Sequence, residues 1–544
     1  MTLLKKYTRF LIPLFCISLP FILPARYTGN MFLRLLALAV VLCCIYVYTK
    51  GLHRVIFNER SRAQRVAVFA LAVIMILFSF FVCAVSIEKE WMHSYPFENK
   101  VDDYGCYPQM FDAFQKGQLN IDTETDLSIL ETLENPYDTS ERREATGVKF
   151  GPTWDRAYYE GKLYSYFGIA PVVFLYYPVY FLTGKVLSDA LAAAVMSAIA
   201  SVMMLALMYE LVSRMKSKPP FILFMLAGVA LPCGALIWST ETCANFYHLA
   251  VLSGICAVVT AFYHILMGEK SDDGFRRKLH FACAGVCVGA TVASRPNLVL
   301  FIFIALPLLI SVIKKHENGI KSLIADIAAF SLPMIAIGVL IMIYNNARFG
   351  SPFDFGANYQ LTLTDTSTYS LSSALVLPAF YHFFVHPPKI DDVFPYLHPA
   401  INRMSEYAVT RLVYVSNSVG SFFFPCTWGI SAVGILWRKE KRAFITAITA
   451  FLCVAFLAIF DMCYGGVHLR YAADIMFILS LLGTYILLYT VANIKKGSAL
   501  YIAVFTAVAV MLLLTVLIEI PLMLDNERDM IRKFHVEFYN FLMG

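Results

Sequence analysis

Charge is what this chain has least of. Asp, Glu, Lys and Arg make up 15% of its 544 residues, against about 25% in an ordinary soluble protein, too few to clothe a water-soluble globule of this size. Several catalytic signatures are missing as well. No Gly-rich loop followed by Lys-Ser or Lys-Thr occurs, so ATP-driven transport is unsupported, and there is neither a G-x-S-x-G elbow nor an H-E-x-x-H pair. The 13 cysteines have no metal-ligand spacing and indicate no redox compartment. Nearly all stand in apolar runs, Cys43, Cys83, Cys256 and Cys453 among them, where a thiol behaves as a small hydrophobe. What is present is apolar: 59% hydrophobic residues, 15% aromatic residues and a mean hydropathy of +0.65. These proportions exclude a disordered chain, a nucleic-acid binder and a secreted disulfide scaffold. They point to an all-α polytopic membrane protein.

About 20 apolar residues cross a hydrocarbon layer of roughly 30 Å as a helix. Such runs stand near 10–24, 31–49, 66–87, 164–184, 188–213, 219–238, 245–267, 279–294, 297–313, 322–344, 416–437, 443–461, 471–493 and 499–523. The alternation expected of barrel strands is absent, and no cleavage site follows the first run, which is therefore read as a retained helix. Seven short connections, beginning at Lys5, Lys50, Arg214, Lys270, Lys314, Arg438 and Lys495, hold 24 of the 44 basic residues. The positive-inside bias makes all seven cytoplasmic. If every run crossed, the five later clusters would fall outside. The run at 164–184, interrupted by Pro171 and Pro178, is the one expected not to cross. The prediction is thirteen crossings of the plasma membrane, with the N-terminus cytoplasmic and the long loops and C-terminus exterior; fourteen is the alternative.

The expected divisions are N-terminal membrane helices at 1–87, an exterior acidic loop at 88–163, a membrane bundle at 164–344, a second exterior loop at 345–415, C-terminal membrane helices at 416–523 and a tail at 524–544. The first loop holds 16 of the chain's 38 carboxylates, and long loops of this kind carry function. In it Asp102 and Asp103 precede Tyr104, Tyr107, Phe111 and Phe114, whose spacing gives a short helix one aromatic face. That helix is predicted to lie on the membrane surface and to stop at Gly117. Asp103 reads either as its N-cap or as a reactive carboxylate placed where a lipid-carried substrate presents its head. Asp155, beside Arg156, brings another acid to the same surface, as a surface pair or as part of a site wall. Trp154 and Tyr158 flank it with flat faces suited to a sugar ring. In the second loop His382 and His386 stand i, i+4, but no further ligand completes a metal set. His386 and Lys389 are candidates for phosphate contact or for interfacial anchoring. Arg411 and Arg470 lie at membrane edges, where an unpaired charge is costly and commonly marks a substrate site, and planar guanidinium suits phosphate. Arg295, in a short turn with Pro296 and Asn297, reads equally as structural.

The acidic pair ahead of an amphipathic helix ending at Gly117, after an N-terminal membrane segment and before a polytopic remainder, resembles the GT-C superfamily of membrane glycosyltransferases. In style it is similar to bacterial members related to protein O-mannosyltransferases and aminoarabinose transferase. The phrases Tyr164-Ser165-Tyr166-Phe167-Gly168-Ile169-Ala170-Pro171, Arg295-Pro296-Asn297 and the run from Arg348 to Gly356 are similar to those of bacterial members. The resemblance implies a GT-C-like helical bundle and inverting transfer of a sugar from a polyprenyl-phosphate carrier to a glycan, lipid or protein acceptor on the exterior face. It assigns the base role to Asp103, or to Asp102, since one common pattern puts the first acid of the pair there. On this reading Asp155 positions the acceptor and Arg470, Arg411, Lys389 and His386 hold the phosphate. No cofactor is predicted, although a divalent cation is compatible with these carboxylates. The rival classes are a flippase or transporter of lipid-linked sugars and a glycan polymerase or ligase. The enzyme is favoured because the interiors of the runs look nearly free of Asp, Glu and Lys, with Glu210 and Asp326 near ends.

Overall fold

The computed structural model describes residues 51–86, 97–98, 105–147, 153–242, 244–314, 319–391, 394–400, 404–405, 413–416 and 418–525. The two N-terminal runs, and Asp102, Asp103 and Arg411, lie outside these residues. In chain order the principal helices are α1 (Arg62–Ser86), α2 (Cys106–Gln115), α3 (Tyr177–Thr183), α4 (Asp189–Ser213), α5 (Phe221–Gly234), α6 (Ile237–Thr242) and α7 (Phe246–Lys270). They continue as α8 (Gly274–Ser294), α9 (Ile302–Lys314), α10 (Ile320–Phe349), α11 (Lys441–Tyr464), α12 (Leu469–Ala492) and α13 (Ala499–Leu524). Among the described residues seven helices, α1, α4, α7, α10, α11, α12 and α13, are long and apolar enough to cross a membrane.

Their burial is that of a membrane bundle. Of the 30 residues of α10 only Asp326, Ile341, Asn345, Arg348 and Phe349 are buried, so Asp326, Asn345 and Arg348 turn inward while Leu332 and Leu340 point out. Soluble monomers rarely expose an apolar face of this extent; in lipid it costs nothing, because a helix satisfies its own backbone. Helix α12 is the opposite case, with 19 of its 24 residues buried, and it forms the core. Small residues let helices close on one another: a Cβ on Gly285 of α8 would lie 2.0 Å from the Phe330 carbonyl oxygen of α10. Ser188, Asn245, Asp273 and Ser498 accept backbone N–H bonds at the starts of α4, α7, α8 and α13, which fixes where each helix begins.

Several apolar runs are not single helices. The run at 164–184 becomes a loop, a π turn at Val172–Tyr176 and α3. The apolar helical stretch Val172–Thr183 is about 18 Å long at 1.5 Å per residue, short of a crossing. The run at 416–437, expected as a spanning helix, is extended over 418–420 and then winds as 3-10 turns at Ser421–Phe423 and Pro425–Ala432. The run at 219–238 breaks between α5 and α6, after Pro232, where Leu236 takes φ 58°. Above the bundle the first and second polar segments meet in a polar cap of short ribbons, including β1 (Ala157–Tyr159) paired with β2 (Lys162–Tyr164) and β3 (Lys389–Ile390) paired with β4 (Leu397–His398).

Candidate active site

Helix α2 opens after Gly105 and ends before Gly117, whose φ of +74° suits glycine. The expected aromatic face exists, but protein covers it. Tyr107 and Phe111 are buried, with Phe111 against Tyr177 at 5.0 Å and Tyr180 at 5.1 Å between ring centroids. The π turn and α3 thus fill the place assigned to lipid headgroups. The opposite side of α2 supplies Gln109, whose Oε1 accepts from Arg156 Nε at 3.0 Å and Nη2 at 2.8 Å. Arg156 is 2% exposed and also donates from Nη1 to the Trp154 carbonyl at 3.1 Å.

Asp155 lies between these groups, in the turn that feeds β1. Its backbone adopts φ 53°, a left-handed conformation that Asp tolerates better than most residues. The turn is tied to the second polar segment: Asp155 N donates to the Leu361 carbonyl at 3.0 Å and Leu361 N to the Arg156 carbonyl at 2.9 Å. Asp155 is 6% exposed. Burial pushes its pKa up to about 6, against the opposing pull of the Thr362 hydroxyl, the Arg470 and Arg156 guanidinium groups and Trp154.

Arg470 comes from the first turn of α12, which begins where His468 caps it by accepting the Arg470 N–H at 3.3 Å. Its guanidinium lies over Tyr247 at 4.6 Å and Tyr471 at 5.1 Å, with Tyr166 in electrostatic reach of both Arg470 and Asp155. The Tyr471 ring is shared with a second guanidinium, Arg295, at 5.3 Å. Arg295 Nε and Nη2 both pair with Asp474 Oδ2, the former at 2.6 Å. Two residues on, Asn297 Nδ2 donates to Asp461 Oδ1 at 3.1 Å. The Arg295-Pro296-Asn297 turn is therefore clamped at two points between α11 and α12. The chain leaving β2 crosses it closely: a Cβ on Gly168 would lie 2.0 Å from the Ala293 carbonyl oxygen, so only glycine fits.

The structure thus brings the buried Asp155 and Arg156 together with the half-buried Arg470, and places Trp154, also half-buried, in the same turn as the acid. Tyr158 packs elsewhere, in a small apolar core with Leu130, Leu163 and Leu361. His386 is buried and bonds through Nδ1 to Ser418 Oγ at 2.8 Å. Lys389 pairs with Asp391 at 2.6 Å on the exposed β3, and its neighbour His398 is bonded to both Asp391 and Asp525. Sequence reasoning passed over Asp461, Asp474, Gln109, Tyr247 and Tyr471. The position of Asp474 four residues after Arg470 puts both on one helix face, a signal that was available. The impression that the runs lack interior carboxylates is corrected: Asp461, Asp474 and Glu519 stand within them and are buried, so scarcity of intramembrane charge does not by itself separate an enzyme from a carrier.

No protein-family model and no curated protein matches the sequence. Among solved structures the chain is similar to ArnT from Cupriavidus metallidurans bound to undecaprenyl phosphate, at 12% identity over 83% of this chain and 76% of that one, with a TM-score of 0.42. It is also similar to the Archaeoglobus fulgidus oligosaccharyltransferase in the apo form, at 14% identity over 87% of this chain and 59% of that one, TM-score 0.41. A third is AglB from Archaeoglobus fulgidus with an inhibitory peptide and a dolichol-phosphate, at 14% identity over 86% of this chain and 56% of that one, TM-score 0.41. The chain spans less than two thirds of either archaeal chain.

Proposed function

We propose that this chain is a membrane glycosyltransferase that moves a sugar from a polyprenyl-phosphate donor to an acceptor hydroxyl at the polar cap, on the exterior face of the membrane. The observation that carries the reading is the burial of Asp155 beside Arg470. Distant parts of the chain bring a buried carboxyl, pushed up to about 6, next to a permanent, half-buried cation. A carboxylate of that kind accepts a hydrogen bond from an acceptor hydroxyl and orients its oxygen toward the anomeric carbon. As the new C–O bond forms, the bond from anomeric carbon to phosphate oxygen breaks, and Arg470 stabilises the charge that collects on the departing lipid phosphate. The acceptor's proton passes to Asp103 or Asp102, following the family resemblance; Asp155 positions. Lys389, already paired with Asp391, is not needed for this scheme.

The test is transfer by the purified full chain from a radiolabelled polyprenyl-phosphate sugar, compared across D155N, R470Q, D102N and D103N. Loss of turnover in D155N and R470Q and in one of the two loop variants is expected, with polyprenyl monophosphate released. Wild-type turnover in D155N would sink the assignment, and release of pyrophosphate would point to a glycan polymerase or ligase.

A further inference from the structure

A second group of polar side chains lies in the bundle, at the break between α5 and α6. Glu241, in the last turn of α6, is 0% exposed, and neither carboxyl oxygen has a hydrogen-bond partner. The hydroxyls of Ser79 on α1 and Ser197 on α4 stand beside it, 3.3 Å from one another. Trp238 Nε1 holds Ser79 Oγ in place at 3.2 Å. Among the described residues no Lys, Arg or His pairs with Glu241. Helix α6 is itself anchored by a second buried acid, Glu519 of α13, whose Oε1 accepts the Ser239 N–H at 2.9 Å and whose Oε2 is also without a partner.

An ionised carboxylate buried with only neutral neighbours costs far more than a folded protein can offset, and an intramembrane acid at a broken helix is characteristic of ion sites. We propose that Glu241 is the carboxylate of a monovalent-cation site, completed by the oxygens of Ser79 and Ser197. One carboxylate with neutral hydroxyl oxygens compensates a single positive charge and suits a hard monovalent ion, Na⁺ or H⁺, better than a divalent one. The site draws residues from α1, α4 and α6, so its occupant neutralises the acid on which the packing of these three helices converges. It is independent of the transfer reaction and stands whether or not that reading holds.

The experiment is thermal unfolding of the full chain in detergent, at pH 6 and pH 8.5, in NaCl or in N-methylglucamine chloride of equal ionic strength. A ligand that binds only the folded state raises the unfolding midpoint as its concentration rises. If Na⁺ fills the site, NaCl raises the wild-type midpoint by a few degrees at pH 8.5, with saturation. If H⁺ fills it, the midpoint rises on going to pH 6 in either salt. E241Q loses the Na⁺ response or, if H⁺ fills the site, keeps only the share of the pH response that D155N abolishes. S197A, which keeps the acid, weakens a Na⁺ response several-fold and so tests the site even if E241Q folds poorly. A wild type indifferent to both ions, or an E241Q chain that responds as the wild type does, overturns the proposal.

Discussion

Replacing Asp155 by Asn should make the protein more stable and less active at once. In the folded chain burial raises this carboxyl from its ordinary 3.8 to about 6, a difference of roughly 3 kcal/mol at about 1.4 kcal/mol per pH unit. The sign follows from linkage. A carboxyl whose folded pKa is raised holds its proton more tightly folded than unfolded, so its stabilising share is complete below about pH 4 and is lost as pH climbs through about 6. Above that the ionised, desolvated acid is a net cost. Asn keeps the hydrogen-bonding shape, accepts the left-handed backbone at this position and carries no charge to desolvate. D155N should therefore exceed the wild type by up to about 3 kcal/mol at pH 8, with the gap closing toward pH 4. Chemical denaturation of the detergent-solubilised chain at a series of pH values measures the gap, and transfer assays on the same samples measure the loss of turnover. A D155N chain less stable than the wild type at pH 8, or a gap that does not change with pH, would refute the account of Asp155 as a buried acid held against its own solvation.

Three further outcomes follow from the same contacts. Because the carboxylate of Asp155 must be ionised to orient a hydroxyl, turnover should fall as pH drops through about 6; in the residual turnover of R470Q, which removes a charge that favours the ionised form, this acid limb should move to higher pH, while R470K keeps the limb but loses donor affinity for want of the planar fork. An R470Q profile superimposable on the wild type would show that the two groups do not interact. R295Q should destabilise the fold by about 3–5 kcal/mol by leaving Asp474 buried without its partner, with much of the loss recovered in the double variant R295M/D474M; equal stability of R295Q and wild type in denaturation would contradict the clamp. G168A should lower the thermal midpoint and the turnover together, because its methyl meets the Ala293 carbonyl, and a fully active, fully stable G168A would show that the crossing can relax.

The bilayer-spanning character was legible because lipid tolerates apolar residues on every side of a helix: the continuous runs at 188–213, 245–267 and 471–493 became α4, α7 and α12. Where a run carries helix-breaking residues the pattern misleads. Pro425 and Gly429 leave the run at 416–437 too irregular to cross as one helix, and Pro232 with the turn at Leu236 divides another. The helix before Gly117 was readable from aromatic spacing, but spacing does not say what covers a face, and the cover is α3. Asp155 and Arg470 were legible as charges in unusual places. Their meeting was not, since it depends on Val467, just before α12, pairing with Val415 and on the turn at Asp155 pairing with Leu361. The Arg295 turn stayed open between a functional and a structural reading because its partners, Asp461 and Asp474, sit in apolar sequence where single acids carry no pattern.

The backbone bonds joining Asp155 and Arg156 to Leu361 have a consequence for anyone who would re-engineer this protein. They make the acid-bearing loop and the segment after α10 two halves of a single clasp, each lacking edge partners without the other. A chimera that imports one loop from a related chain would inherit half a clasp and lose the register that aims the acid. Exchanging specificity requires both segments to be transplanted as a pair, and natural variation in one should be accompanied by matching change in the other.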